Sequence, residues 1–255
     1  MMEEYNSLFD KAEEAVNEKP QLLTRVKEAR LPLMIAQIQI AGQIDVDKPR
    51  SFYKLNERGM VVCKPEMKSL VDQFVTGAKK AGIMRIGERA ITIDDYLDNF
   101  KRIYARMDKM NHAISYRKKI IPISIPKGGP KNVARLTDGV FGAFESWRFP
   151  DKDINWVAYK GEHMDFILDL GEVKPVNSIE MDFLNVQAQA SWHVLVLPKF
   201  VRYAISEDGE IYSHDITITN PHNPDPAENP DIVKIPFHSF TARLENRNAR
   251  FIKVH

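Results

Sequence analysis

Two different periods run along this chain of 255 residues. In its first part apolar positions recur every three to four residues. Residues 2–17 place Tyr5, Leu8, Phe9, Ala12, Ala15 and Val16 on one side of a helix, with acids and Lys11 around the rest of the turn. A second stripe, Leu22, Val26, Ala29, Leu33, Ala36 and Ile40, is interrupted by Pro32. Proline lacks an N–H and its ring crowds the carbonyl of Glu28, so a kink or break is expected there. Pro65 suits the first turn of a third helix carrying Met67, Leu70, Val71, Phe74, Val75 and Ala78, with Gly82 helping to end it. A fourth opens at Thr92, an N-cap with Asp95 three residues on, and aligns Tyr96, Phe100, Ile103, Tyr104 and Met107. Stripes of this kind must bury against one another, which predicts an α-helical bundle.

From about residue 120 the period changes. The stretch "IIPISIPKGGPKN" gathers Pro122, Pro126, Gly128, Gly129 and Pro130, which break helices and suit a linker or the entry to an edge strand. The expected boundary lies here, with a helical domain over 1–125 and a β domain over 126–255. Beyond it Met164, Phe166, Leu168 and Leu170 alternate with Asp165, Ile167 and Asp169, and Ile179, Met181 and Phe183 alternate with Glu180 and Asp182, as in half-buried strands. "FVRYAISEDGEIYSHDITIT" reads as a hairpin around Asp208-Gly209, a pair that tolerates the positive φ of a tight turn. "DIVKIPF" and "ARFIKV" supply further strands, and the proline-rich "NPHNPDPAENP" is a stiffened surface loop. The fold class expected is therefore α plus β, with the all-β half most simply a sandwich.

Composition narrows the function classes. The chain is 44% hydrophobic and 28% charged, ordinary for a protein that builds its own cores. Its 36 basic and 35 acidic residues leave a net charge of +1, which offers no broad field to a phosphate backbone or an anionic lipid surface. Nucleic acid is not an expected partner. No run approaches eighteen apolar residues, so membrane insertion is not expected either. Cys63 is the single cysteine and reads as a buried small hydrophobe. The start of the chain is acidic and amphipathic and lacks the features of a secretion signal, which suits a cytoplasmic protein or a fragment.

Several phrases of the β half line up in order with a known type of module. "LTDGVFG", Trp147, "NWVAYKGEHMDFILDLGEV", "SWHVLVLPKFVRYAISEDG" and the closing "ARFIKV" resemble the discoidin-like domains of coagulation factor V/VIII type C. The nearest form is similar to the galactose-binding-like modules appended to bacterial β-hexosaminidases. More loosely, "YNSLFDKAEEAV" and "RVKEARLPLMIAQIQ" resemble the helical region that follows a glycosidase-like barrel in a large gut-bacterial family. The resemblance implies a jelly roll whose loops at one end bind sugars, and a non-catalytic carbohydrate-binding or adhesion role at the C-terminal end of a larger glycan-processing protein. It also implies an upstream catalytic domain as partner and a periplasmic or cell-surface location.

The same resemblance implies that Asp138 in the "TDG" turn, which in such modules follows the first strand, helps to hold a structural calcium. One carboxylate is not a calcium site, and "FIKVH" offers no acid after the last strand, where related modules often supply one. The competing reading of Asp138-Gly139 is a plain turn. For the sugar, the candidates are Trp147 with Arg148, Trp156, Tyr159, and Trp192 with His193, because a pyranose stacks its C–H face on a ring while polar neighbours take its hydroxyls. Core or lid packing is the alternative for each ring, and Phe141 and Phe144 are expected to plug the end of the sandwich.

Catalytic patterns are missing from the sequence. The seven histidines show no metal spacing, Cys63 has no catalytic context, and "KGGPKN" lacks the strand and helix of a phosphate loop. Two further readings stay open: a structural or protein-interaction module with no glycan ligand, and a glycoside hydrolase fragment whose carboxylates meet between the halves.

Overall fold

The computed structural model describes residues 2–86, 91–127, 132–142, 155–161, 163–185, 195–222, 228–229, 232, 235 and 237–255. It divides into two compact units, Met1–Asp108 and Lys109–His255.

The first unit holds α1 (Met2–Ala15), α2 (Pro20–Gly42), α3 (Pro65–Lys80) and most of α4 (Ile93–Asn111), each where the apolar stripes place it. It is not purely helical. Two short antiparallel hairpins, β1 (Tyr53–Leu55) with β2 (Val61–Cys63) and β3 (Arg85–Ile86) with β4 (Ile91–Thr92), interrupt the helices. The first turns on Asn56, whose side-chain oxygen accepts from the N–H groups of Arg58 and Met60 at 2.9 Å, and on Gly59 at φ 71°. α2 runs through Pro32 as one element, flanked by buried Leu31 and Met34, so packing outweighs the lost hydrogen bond. Gly77 of α3 admits Leu31 of α2, for a Cβ there would lie 2.8 Å from Leu31 Cδ2. α4 starts with the expected reciprocal cap. Thr92 Oγ1 accepts from Asp95 N–H at 3.0 Å, and Asp95 Oδ2 accepts from Thr92 N–H at 3.1 Å. This cap holds the Asp95 carboxyl below its ordinary pKa.

The second unit is built on an antiparallel sheet ordered β5-β6-β9-β7-β8: β5 Lys119–Pro122, β6 Phe166–Leu184, β7 Phe200–Ser206, β8 Ser213–Thr219 and β9 Phe237–Val254. β5 pairs with Phe166–Asp169, so the start of the stretch read as a linker or the entry to an edge strand is an edge strand, and the compact division falls before the expected boundary at 125/126.

The long β6–β9 ladder cannot be straight. Tyr203 lies opposite Val254 in the β7–β9 ladder, yet its hydroxyl donates to the carbonyl of Phe240, 2.9 Å away. At ~3.3 Å per residue a straight strand would put Phe240 roughly 45 Å from Val254. The ladder therefore folds back on itself, at register shifts between Asp169 and Lys174 and between Val176 and Ser178. Gly171 (φ 87°) supplies left-handed backbone at the first shift, and Glu245 (φ 51°) and Asn246 (φ 62°), between the partners of Ser178 and Val176, supply it at the second. Asp169 clamps it, accepting from Gly171 N–H at 2.8 Å and from the Arg250 guanidinium at 2.9 and 3.2 Å.

Both arms of the folded ladder line one core. Leu170, Tyr203, Phe240, Ala242 and Ala249 are fully buried, with Phe166, Val201, Ile205, Ile252 and Val254 packed around them. Alternation then fixes the other face. Val201, Tyr203 and Ile205 point inward, while Arg202 and Ala204 point out; Ile252 and Val254 point inward, while Lys253 and His255 point out.

Candidate functional site

Two places in the second unit bring together side chains able to meet a ligand. The first begins at a 3-10 helix, Val133–Thr137, capped by the side-chain oxygen of Asn132 accepting from Ala134 N–H at 3.1 Å. A 3-10 turn, not a strand, thus precedes "TDG". The turn is tied down by Thr137, whose hydroxyl donates to Lys118 O at 2.9 Å and whose carbonyl accepts from Arg117 N–H at 2.7 Å.

Asp138 Oδ1 accepts from Val140 N–H at 2.8 Å and Oδ2 pairs with Arg135 Nη1 at 3.2 Å. Burial lifts its carboxyl above the ordinary value, outweighing the Val140 N–H and the Arg135 charge that pull it down. Both oxygens are engaged within the turn, and among the described residues no group of three His, Cys, Asp or Glu side chains is placed to hold a metal. Gly139 is required twice over. Its φ is 85°, and a Cβ would lie 2.5 Å from Asn111 Oδ1 and 2.6 Å from Tyr116 Cε2.

The turn swings Val140 and Phe141 into the core, at 5% and 3% exposure. The Phe141 ring meets Trp156 edge-on at 5.3 Å and Phe237 at 5.3 Å, so a polar turn precedes aromatics because it aims the first of them inward. Phe144 lies outside the described residues. Trp156 is half-buried and its indole rests on Gly142, where a Cβ would stand 2.2 Å from Nε1. Asn155 beside it is buried. Tyr159 is half-buried, its phenol raised in pKa by burial. Trp147, Arg148, Trp192 and His193 lie outside the described residues.

The second place is a groove of about 300 Å³ on the outward face of the sheet, lined by Ile123, Asp165, Arg202, Ala204, Tyr212, Asp215, Lys253 and His255. His255 Nδ1 bonds to Asp165 Oδ1. Backbone bonds in both directions between Arg202 and His255, at 2.7 and 2.9 Å, extend the β7–β9 ladder to this point. Arg202 Nε approaches Asp215 Oδ1 at 3.5 Å, and Lys253 Nζ stands 5.8 Å from the centre of the Tyr212 ring. Neither of the described residues singled out for sugar binding, Trp156 and Tyr159, lines this groove. Its signal in the sequence is single charges between inward-facing residues, Arg202 between Val201 and Tyr203 and Lys253 between Ile252 and Val254.

Elsewhere in this unit His222 and His238 meet edge-on at 4.9 Å, with His238 also against Phe240 at 5.0 Å. Burial, then the neighbouring His222, hold His238 below its ordinary pKa, with Asp182 pulling the other way. In the first unit burial pushes the Cys63 thiol up to about 12, so it stays protonated and unreactive at neutral pH. No described helix is long and apolar enough to cross a membrane.

No known family model and no curated protein matches the chain. Solved structures similar to it include a Streptococcus pneumoniae fucose binding module, at 14% identity and TM-score 0.35 over 55% of this chain and 81% of that one. Another is chitosan-binding module 1 from a chitosanase/glucanase of Paenibacillus sp. IK-5, at 17% identity and TM-score 0.34 over 56% and 84%. The C-terminal domain of a Bacteroides fragilis chitobiase matches at 16% identity and TM-score 0.33 over 56% and 82%. Carbohydrate-binding modules thus stand among the structural neighbours, at a level of likeness that carries no inference about ligand.

Proposed function

We propose that the β unit is a non-catalytic carbohydrate-binding module of galactose-binding-like jelly-roll type. In this reading the chain is the C-terminal part of a larger exported glycan-processing protein of the periplasm or cell surface, and the helical unit is a spacer towards a catalytic domain. The ordered sequence phrases support it, and one structural observation carries it: a tryptophan ring fixed in place yet half open. Trp156 is pinned by Phe141 at one edge and by Gly142 under its indole nitrogen, directly after the buried Asn155. A ring held this way has little rotamer freedom left to lose when a pyranose face stacks on it, which is what a weak, shallow binder needs. Such a site binds with a constant on the order of a millimolar, about 4 kcal/mol.

Affinity electrophoresis through immobilised glycans tests this. The intact chain is expected to be retarded by at least one glycan, and Trp156→Phe and Trp156→Ala to lose that retardation while keeping a cooperative melt. The ring contacts that pin Trp156 equally favour a structural module. If both variants lower the melting temperature and no glycan retards the intact chain, that second reading stands and ours is wrong.

A further inference from the structure

We propose that His222 and His238 form a pH-sensitive clasp, which ties the turn after β8 to the start of β9 while at most one ring is charged and lets go when both are. The turn itself is built locally. Asn220 N–H donates to Lys199 O at 2.8 Å, and Asn220 Oδ1 accepts from His222 N–H at 2.9 Å, which fixes where the His222 side chain leaves the backbone. Its ring then meets His238 edge-on at 4.9 Å. The contact joins the end of the β7–β8 ladder to the far arm of the β6–β9 ladder.

On its other sides His238 meets carbon. It lies opposite Phe183 in the β6–β9 register and stands edge-on to Phe240 at 5.0 Å, in the inward row that continues to the fully buried Phe240 and Ala242. Two imidazoles touching in such a place cannot both take a proton freely, because like charges at this distance repel strongly where water is partly excluded. Asp182 is the described carboxylate that acts on His238, but it lies opposite Ser239, on the other side of the strand, where its Oδ1 accepts from Ser239 Oγ. Burial and the charge of His222 together outweigh it. The closed arrangement therefore disfavours the proton, and acid moves the balance towards the open one within the range where histidine titrates. This clasp stands apart from the sugar reading of Trp156 and depends on two histidines alone.

Proton NMR of the full chain between pH 8 and 5 tests it. Nuclear Overhauser contacts between the two imidazole rings are expected at pH 8 and should be lost at pH 5. Protection of the His222 amide should fall about tenfold over the same range, once the intrinsic pH dependence of exchange is removed. His222→Phe keeps a ring without a charge, so the ring contact should survive at pH 5. His222→Gln removes the ring, and in both variants His238 should titrate at a higher pH than in the wild type. The proposal is overturned if the wild-type ring contacts persist once both histidines are charged, or if His238 titrates in both variants as it does in the wild type.

Discussion

Replacing Gly142 by alanine puts a methyl group where the Trp156 indole now rests. The added Cβ would lie 2.2 Å from Nε1, 2.5 Å from Cδ1 and 2.9 Å from Asn155 Cβ, against ~3.5–4.0 Å for an ordinary contact. The ring must therefore retreat by more than an ångström. It has no easy direction: the buried Asn155 is already crowded and the Phe141 ring stands at 5.3 Å. Overpacking of this order costs ~1–3 kcal/mol, and disturbing the edge-on ring contact adds ~0.5–1.5 kcal/mol. Against this, alanine reduces the freedom of the unfolded chain, and since Gly142 has no positive φ that offset of ~0.4–1 kcal/mol applies in full. The net loss is about 1–3 kcal/mol, which lowers the melting temperature of the β unit by roughly 3–10 °C. Calorimetry measures the fall. Emission recorded in a Trp147→Phe, Trp192→Phe background reports Trp156 alone and should shift towards longer wavelength. An unchanged or raised melting temperature with unaltered emission would refute the seating of Trp156 on Gly142, and with it the fixed platform on which the proposed sugar site depends.

Two further outcomes follow from the core. Tyr203→Phe deletes the hydroxyl that donates to Phe240 O between two fully buried residues, and should cost about 2 kcal/mol, roughly 6 °C, in a thermal melt; a neutral result would mean that β7 is not tied to the far arm of the ladder there. His238 has its folded pKa held below the ordinary 6.5, so the unfolded chain binds more protons. The stability it contributes is present above that value and is lost as pH falls below it towards the folded pKa. Melts between pH 8 and 5 should show this loss in the wild type and less of it in His238→Gln, and equal slopes would count against it.

Much of the architecture was readable in the sequence, for a physical reason. Helical stripes and strand alternation are local consequences of which side a residue must bury, so α1 to α4 and the strands around Phe166 and Ile179 stood where the pattern put them. So did the Thr92–Asp95 cap, which needs only neighbours. The Asp208-Gly209 hairpin was also visible, although its connection is longer than a two-residue turn: β7 ends at Ser206 and β8 begins at Ser213, with Asp208 Oδ1 taking the N–H groups of Glu210 and Ile211. Three-residue strands such as β1 and β2 carry too few positions to show a period. β5 was legible only as a linker or an edge-strand entry, because Pro122 suits both: an edge strand tolerates it, one side having no ladder to complete. The groove escaped notice because its residues come from five separate stretches, and only the non-local pairing of β7 with β9 sets Arg202 beside His255.

That pairing also explains why the groove and the core are not independent. Tyr203 opposite Val254 and Ile205 opposite Ile252 turn four large side chains inward, all at 3% exposure or less. The intervening Arg202 and Lys253 are then forced outward to the same surface. A slip of one residue in either strand would bury that strand's cation and expose its inward-facing residues, each worth ~1.5–3 kcal/mol when fully buried. The core therefore fixes the register, and the register sets the positions of the outward charges. Asp165, just before β6, and Asp215 of β8 complete the outward set. Substituting outward residues should thus alter the lining of the groove while leaving the fold intact, whereas substituting an inward residue such as Tyr203 disturbs both. Single exposed side chains on this face can therefore be exchanged without moving the strands, since the geometry that spaces them is held from the opposite face.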